Sequence, residues 1–127
     1  MTFNPAYSIS LNNVLKVSSG NGLISFATGL GLGIVVTSTT PFTMISTYNV
    51  ALIDATVGAF LVNLPPAASY PGITYWIKKI DPSVNAVTID ANGAETIDGA
   101  LTYVLTTKNK YVVIVNDGGS WQVIGNN

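Results

Sequence analysis

Cysteine, histidine and arginine are all missing from this sequence. Without cysteine there is no disulfide, no thiolate nucleophile and no zinc-ribbon site. Without histidine the commonest general base and metal ligand is gone. Without arginine there is no bidentate grip on bases or phosphates, and the five lysines do not cluster. Lys78 and Lys79 are the one adjacent pair, and neighbours on a strand point to opposite faces. A surface that tracks phosphates needs clustered cations, so nucleic acid is not an expected partner.

Charge of either sign is scarce. Charged residues make up 9% of the chain, against about 25% in an ordinary domain. Neutral hydroxyls and amides do most of the solvation, beside a hydrophobic fraction of 48%. That composition fits a subunit that hides much of its surface against copies of itself or a larger assembly. Long apolar runs are also lacking. Residues 17–36 carry no charge, but Gly22, Ser25, Thr28, Gly29, Gly31 and Gly33 interrupt them. The unbroken apolar part falls short of the roughly 18 residues of a membrane span. No charged n-region followed by an apolar core opens the chain, so neither a signal peptide nor a membrane partner is expected.

What is present is a series of short runs rich in Val, Ile, Thr and aromatics, separated by turn formers. The turns are Pro65-Pro66, Pro71-Gly72, Asp81-Pro82, Asn92-Gly93, Asp98-Gly99 and residues 116–119 (NDGG). Strands are expected at residues 42–48, 50–54, 60–64, 73–80, 87–89, 95–97, 103–106, 111–115 and 121–124. Residues 67–70 fit a tight loop or one helical turn. Phe60, Val62 and Leu64 would share one face, as would Ile73, Tyr75, Ile77 and Lys79. The apolar run at 111–115 (YVVIV) reads as a strand covered on both faces, so Val113→Asp is expected to abolish folding or assembly. No period of 20–50 residues repeats, which argues against a solenoid. The expected fold is all-β: a β-sandwich or jelly-roll-like knob with a short Gly-rich N-terminal β segment.

The charge distribution suggests two parts. Residues 1–53 hold one charged side chain, Lys16, and the other ten lie from Asp54 to Asp117. We therefore divide the chain near Ser38-Thr39-Thr40-Pro41. Residues 1–41 form an attachment or oligomerisation segment with short strands at 7–11, 14–17 and 23–26, and 42–127 form the β domain.

Candidate chemistry is thin. Gly29-Leu30-Gly31-Leu32-Gly33 precedes strand-prone Ile34-Val35-Val36-Thr37, not the helix a phosphate loop needs, so close backbone approach or turning is the better reading. Asp90, Asn92, Glu95 and Asp98 are the one local cluster of oxygen donors, but the spacing is not that of an EF-hand and hairpin turns explain the same residues. Asp54, Asp81, Asp90, Asp98 and Asp117 each sit beside a turn or strand end, as solvated turn residues do. A Ser–Lys dyad has no spacing in its favour. Trp76, Trp121, Tyr75, Tyr103 and Tyr111 could stack on sugars, though aromatics in β runs more often serve core or interface. No catalytic residue, cofactor site or metal site is assigned, and an enzyme is not expected.

Five stretches carry a resemblance: residues 64–69 (LPPAAS), 75–81 (YWIKKID), 86–90 (AVTID), 95–99 (ETIDG) and 115–121 (VNDGGSW). Together, over about residues 50–124, they resemble a C-terminal β domain that recurs in head-fibre, tail-fibre and other appendage proteins of tailed bacteriophages. Trp76 departs from that pattern, standing where a small hydroxyl residue is often seen. The resemblance implies a β-sandwich knob, usually homotrimeric, with no catalytic residues to carry over. The function expected is a homotrimeric capsid decoration or head-fibre protein on the exterior of the virion. It would dock on the major capsid or another virion protein through residues 1–41. The alternative is the receptor-binding tip of a tail fibre, touching host glycan through loops 81–85 or 117–120.

Overall fold

Over residues 34–90, strands that follow one another in the chain are not neighbours in a sheet. In the computed structural model, which describes residues 31–127, β1 (Ile34–Thr37), β3 (Val50–Ile53) and β5 (Thr74–Lys79) lie side by side. In a second sheet β2 (Phe42–Thr43), β4 (Phe60–Asn63) and β6 (Val87–Asp90) do the same. Every one of these pairings is parallel. The chain thus changes sheet at each strand up to β6 and winds a short coil. Antiparallel strands complete both sheets: β7 (Thr102–Leu105) on β6, β8 (Tyr111–Asn116) on β5, and β9 (Trp121–Asn126) on β8. The orders are β1-β3-β5-β8-β9 and β2-β4-β6-β7.

The all-β class expected from the sequence is what the structure shows, as two mixed sheets. Jelly rolls pair their strands antiparallel, and the parallel winding lies outside that expectation. The parallel winding adds no repeat of constant length. Ile34, Val50 and Trp76 stand in one register row, so one turn of the coil takes 16 residues (34 to 50) and the next 26 (50 to 76). A constant period is what makes coiled repeats visible in sequence. Turns this unequal leave none. β1, from the segment placed before residue 42, is the first strand of this coil among the described residues. The strands expected at 7–11, 14–17 and 23–26 lie outside the described residues.

Alternation decides which side chains go inside. In β4 Phe60 and Val62 are buried, and in β5 Tyr75, Ile77 and Lys79 are, as the period-two pattern required. Ala51 and Ile53, Val87 and Ile89, Val112 and Ile114 complete one core shared by both sheets. Each large apolar side chain buried there contributes about 1.5–3 kcal/mol. β8 is interior to its sheet, but Val113 lies half-buried on the opposite face from Val112 and Ile114.

Two expected strands shrink. The strand at 42–48 ends after Thr43, because Met44 turns into the core and the Tyr48 amide closes a turn on the Ile45 carbonyl at 3.2 Å. That turn returns the chain to the first sheet. Residues 95–97 keep only isolated bridges, from Ile97 to Ala100 and to Trp121. The turn that follows at once, with positive φ at Asp98 (49°) and Gly99 (85°), leaves no room for a ladder.

Gly33 illustrates close approach. Its carbonyl accepts the amides of Asn49 (2.9 Å) and Val50 (3.0 Å), which holds its Cα against the backbone of Thr47. A Cβ there would overlap the Thr47 carbonyl oxygen, whereas one on Gly58 meets nothing within 4 Å. Gly33→Ala is expected to lose about 1–3 kcal/mol, with Gly58→Ala near neutral. Thermal unfolding of the two variants checks this, and equal melting temperatures would contradict the packing described.

Candidate functional site

The cluster of oxygen donors disperses. Both Glu95 carboxylate oxygens accept the Ala67 amide, at 3.0 and 3.1 Å, and Asp98 Oδ1 accepts the Val123 amide at 2.9 Å. Asn92 is exposed on its turn. Among the described residues no group of three His, Cys, Asp or Glu side chains could hold a metal ion. Asp117 is spent on its own turn, where Oδ1 accepts the amides of Gly119 (2.9 Å) and Ser120 (2.7 Å) and Oδ2 accepts Gln122 Nε2 (2.8 Å). Those bonds hold its carboxyl below the usual range. Of the glycine-rich stretch, Gly31, Leu32 and Gly33 are described, and no helix follows them.

Asp81 is not a solvated turn residue. It is buried beside the fully buried Lys79, whose Nζ donates to both carboxylate oxygens at 2.7 Å. Asp81 Oδ2 also accepts the Ala55 amide (2.8 Å), and Oδ1 accepts the Ser83 amide (2.9 Å) and the Ser83 hydroxyl. Burial pushes the carboxyl up, but hydrogen bonds from Lys79, Ser83 and Ala55 outweigh it and leave the group well below the ordinary carboxylate range. Lys79 Nζ lies 3.2 Å from Ser83 Oγ. This is not a catalytic dyad, because the ammonium is the donor of an ion pair and a dyad needs a lone pair on nitrogen. The network clips the β3–β4 loop, through Ala55, to the β5–β6 loop. A lysine in phase with Tyr75 and Ile77, followed two residues on by an aspartate, was the trace of it in the sequence.

The motifs that carry the resemblance are bonded to one another. Asn116 at the start of NDGGSW is buried, and its Nδ2 donates to the carbonyls of Ala67 (2.7 Å) and Tyr70 (3.0 Å), at and beside LPPAAS. Ala67 opens a 3-10 turn (Ala67–Ser69), and its amide is the one capped by Glu95 of ETIDG. Thr96 of ETIDG accepts Ser120 Oγ (2.6 Å) and the Trp121 amide (2.9 Å) on its carbonyl. These polar side chains brace backbone.

The aromatics divide. Tyr75 and Trp121 stack in the core with centroids 5.4 Å apart and planes at 21°. Neither Tyr75 Oη nor Trp121 Nε1 has a hydrogen-bond partner among the described residues. Burial, with Tyr70 nearby, pushes the Tyr75 hydroxyl up to about 12. Because that lies above the unfolded value near 10, its contribution to stability is whole below pH about 10 and disappears as pH rises through 12. Titration by ultraviolet absorbance is expected to show one tyrosine ionising only as the domain unfolds, a step that Tyr75→Phe removes. An orphaned buried hydroxyl costs about 1–3 kcal/mol, so Tyr75→Phe is also expected to melt no lower than the parent. A marked fall would mean the hydroxyl has a partner. Tyr103 is half-buried against the core.

Trp76 and Tyr111 line a different place. With Leu32, Val50, Leu52 and Lys78 they surround a cavity of about 240 Å³. It opens on the face of the five-stranded sheet away from the core. The register runs Ile34–Val50–Trp76–Val113 across β1, β3, β5 and β8, and beside it Val36–Leu52–Lys78–Tyr111. One charge stands in those two rows. An antiparallel or mixed sheet ordinarily sets polar side chains outward.

A scan against models of protein families found no match, and no curated protein matched the chain. Among the described residues no helix is long and apolar enough to cross a membrane.

Proposed function

We propose that this chain is a structural protein of a tailed-bacteriophage particle. On this reading it is a homotrimeric capsid decoration or head-fibre protein, docked through its N-terminal segment and projecting the β domain outward, without catalytic activity. The observation that carries the reading is how the polar side chains are used. Glu95, Asp98, Asn116, Asp117 and the Lys79–Asp81 pair are committed to holding loops in place. An enzyme keeps its acids and bases aimed at a cleft. The apolar outer face of the five-stranded sheet also suits a subunit, since a sheet face of this kind is covered in assemblies. The short motifs shared with phage appendage domains supply the particle. Of the loops offered to glycan in the receptor-binding alternative, 81–85 turns its carboxylate inward, and in 117–120 the exposed Asp117 carboxylate is taken up by amides of its own turn.

Antibody raised against the chain should label purified particles on the head. Label confined to fibre tips would transfer the protein to the receptor-binding reading, and particles that do not contain the chain would end both.

A further inference from the structure

We infer that copies of this chain bind one another through the outer face of the five-stranded sheet, head to tail. The exposed side chains of β1 on one copy fill the cavity between β3, β5 and β8 of the next. The inference rests on the reading of the chain as a subunit of a homomeric assembly and names the surface that does the assembling.

The face carries both halves of a joint. Ile34 and Val36, on the edge strand among the described residues, are 59% and 63% exposed, and Leu32 and Trp76 beside them are 42% and 36% exposed. At about 250 Å² for a tryptophan and about 120 Å² for a large aliphatic side chain, those four expose roughly 300 Å². Half-buried Val50, Leu52, Tyr111, Val113 and Val115 enlarge the patch. That brings it toward the roughly 800 Å² each partner buries in a stable pair. The cavity, about 240 Å³ and walled by carbon apart from Lys78 and the Tyr111 hydroxyl, is larger than the ~150 Å³ that holds a benzene-sized group. It therefore takes a branched aliphatic side chain. Projection and hole lie side by side on the face, so a two-fold contact would pair them reciprocally, whereas the homotrimer proposed above is built from head-to-tail contacts. A head-to-tail contact matches them and closes into a ring. Charge permits the contact, because Lys78 is the one charge in the two register rows and the whole chain carries a net charge of −1. Trp76, the departure from the appendage pattern, is the central residue of the first row.

Two measurements on the full chain test this. Sedimentation at micromolar concentration should give an oligomer for the parent and a folded monomer for Val36→Glu, with the same circular dichroism. The chain has no cysteine, so introduced thiols report contacts cleanly. Val36 and Tyr111 are three strands apart in one register row, roughly 14 Å at sheet spacing and too far for a disulfide within one copy. Oxidised Val36→Cys/Tyr111→Cys chains should therefore cross-link between copies into a series ending at the closed ring, while either single variant stays uncross-linked. Self-cross-linking of the Val36→Cys variant, or a double-variant series that stops at the dimer, would overturn the head-to-tail arrangement. An oligomer whose mass survives Val36→Glu, with no cross-link in the double variant, would overturn this face and leave the assembly reading standing. A parent chain that sediments as a monomer would remove both.

Discussion

Asp81→Ala is expected to destabilise the domain by about 3–5 kcal/mol, because it strands the Lys79 ammonium in the core without a counter-charge. That is a third or more of the stability of an ordinary domain, and it corresponds to a fall in Tm on the order of 20 °C. The loss has two sources. The Lys79 ammonium keeps only the Ser83 hydroxyl as a hydrogen-bond partner, and the Ala55 amide loses its acceptor. The double variant Lys79→Met/Asp81→Ala should recover much of the loss, since a buried pair exchanged for apolar groups is often neutral. If the single and double variants melted together, the charge would not be the cause. Acid gives the same readout without mutation. The folded carboxyl lies below its unfolded value, so its contribution is whole above pH about 4 and is lost as pH falls through the folded pKa. Asp81→Asn should flatten that acid limb.

A second large effect separates two adjacent residues. Ile114→Asp places a carboxylate in the shared core, where an unpaired charge costs more than a domain of this size can bear, and no folded chain is expected. Val113→Asp changes the outer face, opposite Trp76. It should leave a folded domain that no longer assembles. Far-UV circular dichroism with sedimentation separates the outcomes, and a folded Ile114→Asp chain would mean that the two faces of β8 are exchanged.

That contrast shows what was legible in the chain. Alternation in residues 60–64 and 73–80 grouped the side chains of β4 and β5 by face, Lys79 with Tyr75 and Ile77 included, since a period of two is a local property. It did not give the partners of those strands. Pairing in a parallel coil depends on the lengths of the connections, and turns of 16 and 26 residues (34 to 50, 50 to 76) do not superimpose. Asp81 looked solvated because Asp-Pro marks a turn, whereas its burial is set by Lys79 and Ala55 from other elements. Asn116 gave no trace at all, because its partners at Ala67 and Tyr70 are brought up only by the fold. The outer sheet face was half visible. The run at 111–115 called for cover on both sides, and which strands share its exposed side followed only from the register.

The stacking of Trp121 on Tyr75 has a consequence for biosynthesis. Tyr75 emerges from the ribosome long before its companion, and a nascent chain halted at Asn116 would hold an uncapped aromatic in an unfinished interior beside a bare edge at β8. Such edges recruit strands from other polypeptides. Closure of this core must therefore wait until translation has passed β9, and premature stop codons in that strand should yield insoluble product where distant missense changes do not.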